Sequence, residues 1–261
     1  MESISSKEYA AIGHCIYCGC TESLEREHIF PFGLNGSAVL PKSSCRPCAK
    51  ITGRQEQIVL RGSMWAVRAY RGLKSRTKHK DAPETYPLTV IRQGAEEVVE
   101  LPAKEYPILL PFPIFAQPAF VNPAGYRSGI EILGIQTIAF GPAPEEVARR
   151  LGATTIRITR EHEPVAFARV IAKIAYAAAA AEGLLDLVES KPSVVQSILG
   201  AVDDIGRWVG TLSGPAKSVA GQLHRLLFHR DDEKGLLFGE VQLFSDSQGP
   251  RYVVILGKLR R

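Results

Sequence analysis

Four of the five cysteines fall into two Cys-x2-Cys pairs, Cys15 with Cys18 and Cys45 with Cys48. Each pair brings two sulfurs within reach of one ion, and Zn2+ favours four thiolates in a tetrahedron, so the four read as a closed structural zinc site. A redox reading needs one pair in a βαβ context, which the sequence lacks. Cys20 is left over as a spare thiol. The 26 residues between the knuckles leave room for a hairpin carrying "LEREHIFPFGLNG", in which Glu27 stands beside His28. An imidazole titrates near neutral pH and can take a proton from water, and a carboxylate next to it can hold a cation. Neighbours on a strand point to opposite faces, so a bend or bulge is required to bring both to one site. Otherwise His28 is a hydrogen-bonded histidine inside a small zinc module and Glu27 a surface carboxylate.

The net charge of +5 is unevenly placed. Residues 1–82 hold 13 Lys or Arg against 7 Asp or Glu, whereas residues 83–261 hold 19 against 20. Between 42 and 80, 11 basic residues face a single acid, Glu56. A field of that sign favours a polyanionic partner such as nucleic acid; the alternative is a solvated basic helix and linker. Arg54, Arg61 and Arg68 recur every seven residues and, with Lys74, Arg76 and Lys78 of "KSRTKHK", are the expected nucleic-acid contacts.

Taken together, Cys15, Cys18, Glu27, His28, Ile29, Pro31, Gly36, Cys45, Cys48 and Lys50 resemble the zinc-stapled HNH endonucleases over residues 12–60, under a quarter of the chain. The resemblance implies a ββα-metal fold and metal-dependent hydrolysis of DNA phosphodiester bonds. His28 would activate the water, and Glu27 would help hold a catalytic Mg2+ or Mn2+ that stabilises the developing phosphorane charge. Two positions depart from the family pattern. Ala49 stands where the helix usually offers Asn or His to the metal, and Leu40 where Asn is common. Glu56, on the same helical face as Ala49 and about 10 Å along the axis, is the candidate replacement ligand. Because of Ala49, two alternatives stand beside the hydrolase. One is a catalytically degenerate zinc-stapled nucleic-acid-binding module, the other a structural zinc knuckle with the function in the C-terminal part.

These residues need a scaffold. Asn35-Gly36 reads as a bend with Asn35 at positive φ. Residues 47–72 read as a helix with Ile51, Ile58 and Trp65 on its apolar face, weakened at Gly53 and Gly62. "KSRTKHKDAPETYP" ends the first unit, giving an HNH-like module at 1–82 and an α+β domain at 83–261. In the second unit "YPLTVIR", "EVVEL", "PILLPF", "IEILGIQTIAF" and "TTIRIT" read as strands around a short helix at 144–151, with a proline-rich irregular stretch at 102–123. "EPVAFARVIAKIAYAAAAAEGLLDLVE" reads as a long helix, apolar nearly all round, with Pro164 in its first turn. Three alternating segments at the C-terminal end read as an antiparallel meander. The fold class expected is α+β, the central helix packed on an antiparallel sheet. No secretory signal is visible, and the apolar run at 174–181 is far short of the roughly 20 residues of a membrane span. The chain is therefore read as cytoplasmic. The remaining histidines, His14, His79, His162, His224 and His229, have no ligand spacing and read as structural or solvated.

Overall fold

The computed structural model describes residues 9–74, 84–158, 162–190, 193–214, 216 and 218–260. Arg76, Lys78 and His79 lie outside them.

The N-terminal element is a hairpin followed by a helix. Strand β1 (Leu24–His28) pairs antiparallel with β2 (Val39–Cys45), which runs straight into helix α1 (Arg46–Arg61). Pro47 sits in the first turn of α1, where its missing N–H costs nothing. The hairpin turns at Asn35, whose φ is +66° as its sequence position suggests. Gly36 follows because the chain doubles back tightly: a Cβ there would lie 2.0 Å from the Phe30 carbonyl oxygen. The helix expected at 47–72 is two helices. It breaks at Gly62, and α2 (Trp65–Tyr70) resumes after a turn.

The face that α1 buries also differs from the heptad reading. Cys48, Thr52 and Val59 are buried, whereas Ile51 is 38% exposed and Ile58 and Trp65 are only half-buried. The sulfur of Cys48 sets the rotation of α1, because it must face the cysteines of the hairpin.

Beyond residue 83 the described residues form three further sheets. Strand β3 (Thr85–Arg92) pairs with β4 (Ala95–Pro102) through a tight Gln93-Gly94 turn, and β7 (Thr155–Arg157) joins the other edge of β3. Strand β5 (Ile108–Phe115) pairs with β6 (Ile132–Phe140), and α3 (Pro144–Arg150) leads from this pair to β7. Part of the stretch expected to be irregular is thus strand, with Pro111 and Pro113 on a β5 that has β6 on one side only. The largest sheet has the order β8-β11-β10-β9, all antiparallel: β8 (Val209–Thr211), β9 (His224–Asp231), β10 (Leu236–Leu243) and β11 (Arg251–Lys258).

Helix α4 (Pro164–Ala181) runs through the centre. Its residues are apolar on nearly every side and most are buried, which makes it the core helix, although its length and composition would also suit a membrane span. It starts at Pro164 but ends at Ala181, eight residues short of the expected end, because Gly183 takes the left-handed conformation that closes helix ends and Leu184–Leu187 is a separate 3-10 turn. One side packs on β10 so closely that a Cβ on Gly239 would lie 3.0 Å from the Ala175 methyl. Another side meets α1. Buried residues from the cysteine hairpin, α2, the small sheets, α4 and the large sheet form one continuous apolar cluster. The architecture is α+β, a ββα-like element with a cysteine cluster joined to a larger region in which helices pack on sheets.

Candidate metal centre and the buried lysine beside it

The four sulfurs of Cys15, Cys18, Cys45 and Cys48 lie within 4.8 Å of one another, and those of Cys18 and Cys45 are 3.5 Å apart. A tetrahedron with ~2.3 Å Zn–S bonds has edges of about 3.8 Å, so the cluster has the size of a zinc site. The first knuckle is shaped by its own backbone. Gly19 N–H donates to the Cys15 carbonyl, Cys15 N–H to that of Cys20, and Ile16 N–H to Ser43 across the hairpin. Burial opposes ionisation of the Cys15 thiol, but backbone N–H groups of Cys45, Cys18 and Tyr17 outweigh it and bring the thiol down to about 7. Cys48 moves the other way, raised by burial first and then by its sulfur neighbours. Four thiolates packed this closely repel one another, and a divalent cation removes the conflict. Cys20 is exposed and outside the cluster; its sulfur meets the backbone of Glu22.

Next to the cysteines, the bulge of β1 comes before the Glu27-His28 pair, which itself pairs regularly with Leu40 and Val39, so the two side chains leave opposite faces of the strand. The register of β1 shifts between Glu25 and Glu27, and both Glu27 and His28 are buried although they are adjacent. Leu40 stands directly opposite Glu27 on β2. The His28 ring packs edge-on against Phe32, with centroids 5.5 Å apart.

The carboxylate of Glu27 faces Lys173 of α4. The ammonium lies 2.7 Å from Glu27 Oε1 and 2.9 Å from Glu56 Oε1, donates to the backbone carbonyl of His28, and has that of Ile29 at 3.5 Å. Lys173 is 1% exposed. Burial alone would lower its pKa, yet the two carboxylates hold it above the ordinary lysine range. The gap around it, lined by Thr52, Gln55, Arg169, Val170 and Ile198, has no room for a water molecule. Tyr17 is buried beside the triad, and its phenol is pushed well up by burial first and by Glu27 and Glu56 next.

Glu27 and Glu56, the two acids proposed from the sequence to share a cation, therefore do come together, but on a lysine from residue 173. A divalent ion does not fit between them as they stand, because the ammonium holds that place. Sequence reasoning missed Lys173. Its signal was its place as one of the two charged residues, with Arg169, in a mainly apolar helix, since a buried ammonium must have paired acceptors.

The expected basic contacts separate into two groups. Arg68 turns inward and donates to the carbonyls of Gly33, Leu60 and Lys74, and burial lowers its pKa. Arg54 and Arg61 are exposed on α1, and Lys74 is exposed with its ammonium above the Phe32 ring. At about 100° per residue, Arg46, Lys50, Arg54 and Arg61 fall within an arc of roughly 80° on the side of α1 opposite Cys48, Thr52 and Val59. Of these four, Arg46 approaches Glu25 at 3.7 Å.

Three of the other four histidines in the described residues make contacts within the fold. His14 is exposed. His162 packs on Phe167 with its pKa lowered by burial, and His229 stacks on Phe238 and meets Glu240 at 3.3 Å. His224 bridges β9 and the hairpin: Nδ1 accepts from Phe244 N–H, which leaves Nε2–H to donate to the Leu34 carbonyl at 2.8 Å. In a comparison with protein-family models, curated proteins and solved structures, none matches this chain.

Proposed function

We propose that the N-terminal element is a zinc-stapled nucleic-acid-binding module, with duplex DNA as its partner, in which Glu27 and His28 are structural rather than hydrolytic. The observation that carries this reading is the division of charge on α1. The only acid of the helix, Glu56, is turned inward onto Lys173, while Lys50, Arg54 and Arg61 share the outward face. An exposed helix with cations in one row suits the phosphates that border a groove, each contact releasing a counterion. The four cysteines hold that helix at a fixed angle to the hairpin. Hydrolysis would need a divalent ion beside Glu27, and the ammonium of Lys173 stands there instead.

The test is fluorescence anisotropy of a labelled duplex between 50 and 200 mM salt, with zinc content measured alongside. Changing Lys50, Arg54 and Arg61 together to Gln should flatten the slope of log K against log[salt] by about 2.7, at ~0.9 per phosphate contact, and leave zinc stoichiometry unaltered. Unchanged binding by the triple variant would remove the module from nucleic-acid recognition. Cleavage of plasmid with Mn2+ that disappears in His28→Ala would instead restore the hydrolase.

A further inference from the structure

The surroundings of the Lys173 ammonium are those of a metal ion. Four oxygens converge on it: one each from the carboxylates of Glu27 and Glu56, and the carbonyls of His28 and Ile29. An ammonium has three protons to give, and the first three of these acceptors take them. Carboxylate and carbonyl oxygens gathered without nitrogen or sulfur are the donor set of hard divalent cations such as Mg2+, Ca2+ and Mn2+. Both acids are anchored on elements fixed by the cysteines, Glu27 on β1 and Glu56 on α1.

We propose that Lys173 is a tethered cation that occupies a divalent-metal site built by the ββα element, so that the larger region of the chain supplies through a side chain the charge a soluble ion would bring. The inference rests on the part of the preceding reading that leaves no divalent ion beside Glu27. Two consequences follow. The intact protein has no use for Mg2+ or Mn2+ at these acids, and removal of the lysine side chain leaves a vacant oxygen cage with room for an ion. One ammonium formally balances one of the two carboxylates, whereas a divalent ion balances both, which favours the ion once the lysine is gone.

The experiment titrates Mn2+ into the full-length, zinc-loaded protein without nucleic acid, by calorimetry and by loss of the free Mn2+ electron paramagnetic resonance signal. The native chain should bind no Mn2+ at this site up to 1 mM, on the order of the weak limit of oxygen-ligand sites. Lys173→Ala should bind one equivalent with Kd on the order of 10⁻⁴ M, and Lys173→Ala with Glu56→Gln should lose it. Mn2+ should raise the melting temperature of Lys173→Ala and leave that of the native chain where it is. If Lys173→Ala does not fold by itself, Lys173→Ser is refolded with and without 1 mM Mn2+; recovery of zinc-loaded soluble protein only with Mn2+ supports the proposal. Folded Lys173→Ala that binds no Mn2+, native protein whose Mn2+ site is lost in Glu56→Gln, or failure of Lys173→Ser to recover in Mn2+ would overturn it. Since the readout contains no nucleic acid, it separates from the DNA-binding reading: the Lys50, Arg54 and Arg61 triple variant should titrate like the native chain.

Discussion

Acidification should loosen the joint between the hairpin and the large sheet, and His224 sets the size of the effect. Its imidazole is half-buried and neutral, with Nδ1 accepting from Phe244 and Nε2 donating to Leu34, and its ring is stacked on Phe30 at 5.1 Å. Burial lowers its pKa from 6.5 to about 4, against the smaller raising effects of the Leu34 carbonyl and the Asp246 charge, with Arg71 adding to the lowering. Because the folded state resists protonation, the unfolded chain binds more protons between the two values. The contribution of His224 is therefore complete above pH 6.5 and is lost as pH falls through about 4. The gap of about 2.5 pH units, at ~1.36 kcal/mol each, makes the full loss about 3 kcal/mol, of which about 2 kcal/mol is gone at pH 5. Urea unfolding at pH 7.5 and pH 5.0 measures it, with His224→Gln as the partner variant, because Gln keeps a donor but does not titrate. Protonation of the zinc thiolates affects both proteins equally and cancels. The native chain should lose about 2 kcal/mol more than His224→Gln between the two pH values. Equal losses would show that the imidazole is not held neutral by its burial, and the argument would fail.

Removing zinc should disorganise the hairpin and α1 while the large sheet persists. In Cys48→Ser, elemental analysis should find less than one zinc per chain, and urea unfolding should show an earlier first transition, since a structural zinc contributes its binding energy to folding. The two glycines of the module should respond with opposite signs. Gly36→Ala drives a Cβ into the Phe30 carbonyl and should cost about 3 kcal/mol in urea unfolding, the upper end of ordinary substitutions. Gly53→Ala, where a Cβ meets nothing within 4 Å, should instead stabilise α1 by about 0.5–1 kcal/mol.

What the sequence made legible was whatever is decided locally. The two Cys-x2-Cys pairs fixed the cluster, Asn35-Gly36 fixed the bend, and Pro164 marked the start of α4. Strands β3 to β6 stood out by alternation or by their flanking turns. The rotation of α1 did not, because Ile51, Ile58 and Trp65 imitate a buried seam while the cysteines and Glu56 turn the helix a different way. The three-residue strand β8 is too short to have a period. The partner of Glu27 and Glu56 was hidden for a stronger reason. Lys173 reaches the His28 carbonyl across 145 residues of sequence, and pattern within a segment says nothing about contacts at that range. The same holds for Arg68, whose heptad spacing resembled a surface row but whose guanidinium is committed to three carbonyls.

The grip of α4 on the first residues of the chain has a consequence for synthesis. Lys173 holds Glu27 and Glu56, Tyr176 donates to the Ile16 carbonyl, and Glu182 accepts from Tyr9. The zinc tetrad closes within residues 15–48 and needs nothing made later. Its acids, however, wait for a lysine 117 residues beyond Glu56, an interval of about 6–23 s at the ~5–20 residues per second of translation. During that interval the growing chain presents a stapled hairpin with two solvated carboxylates side by side. Helix α4 can close over them only once residue 173 has been made, and a chain cut short before it has the two carboxylates without their ammonium.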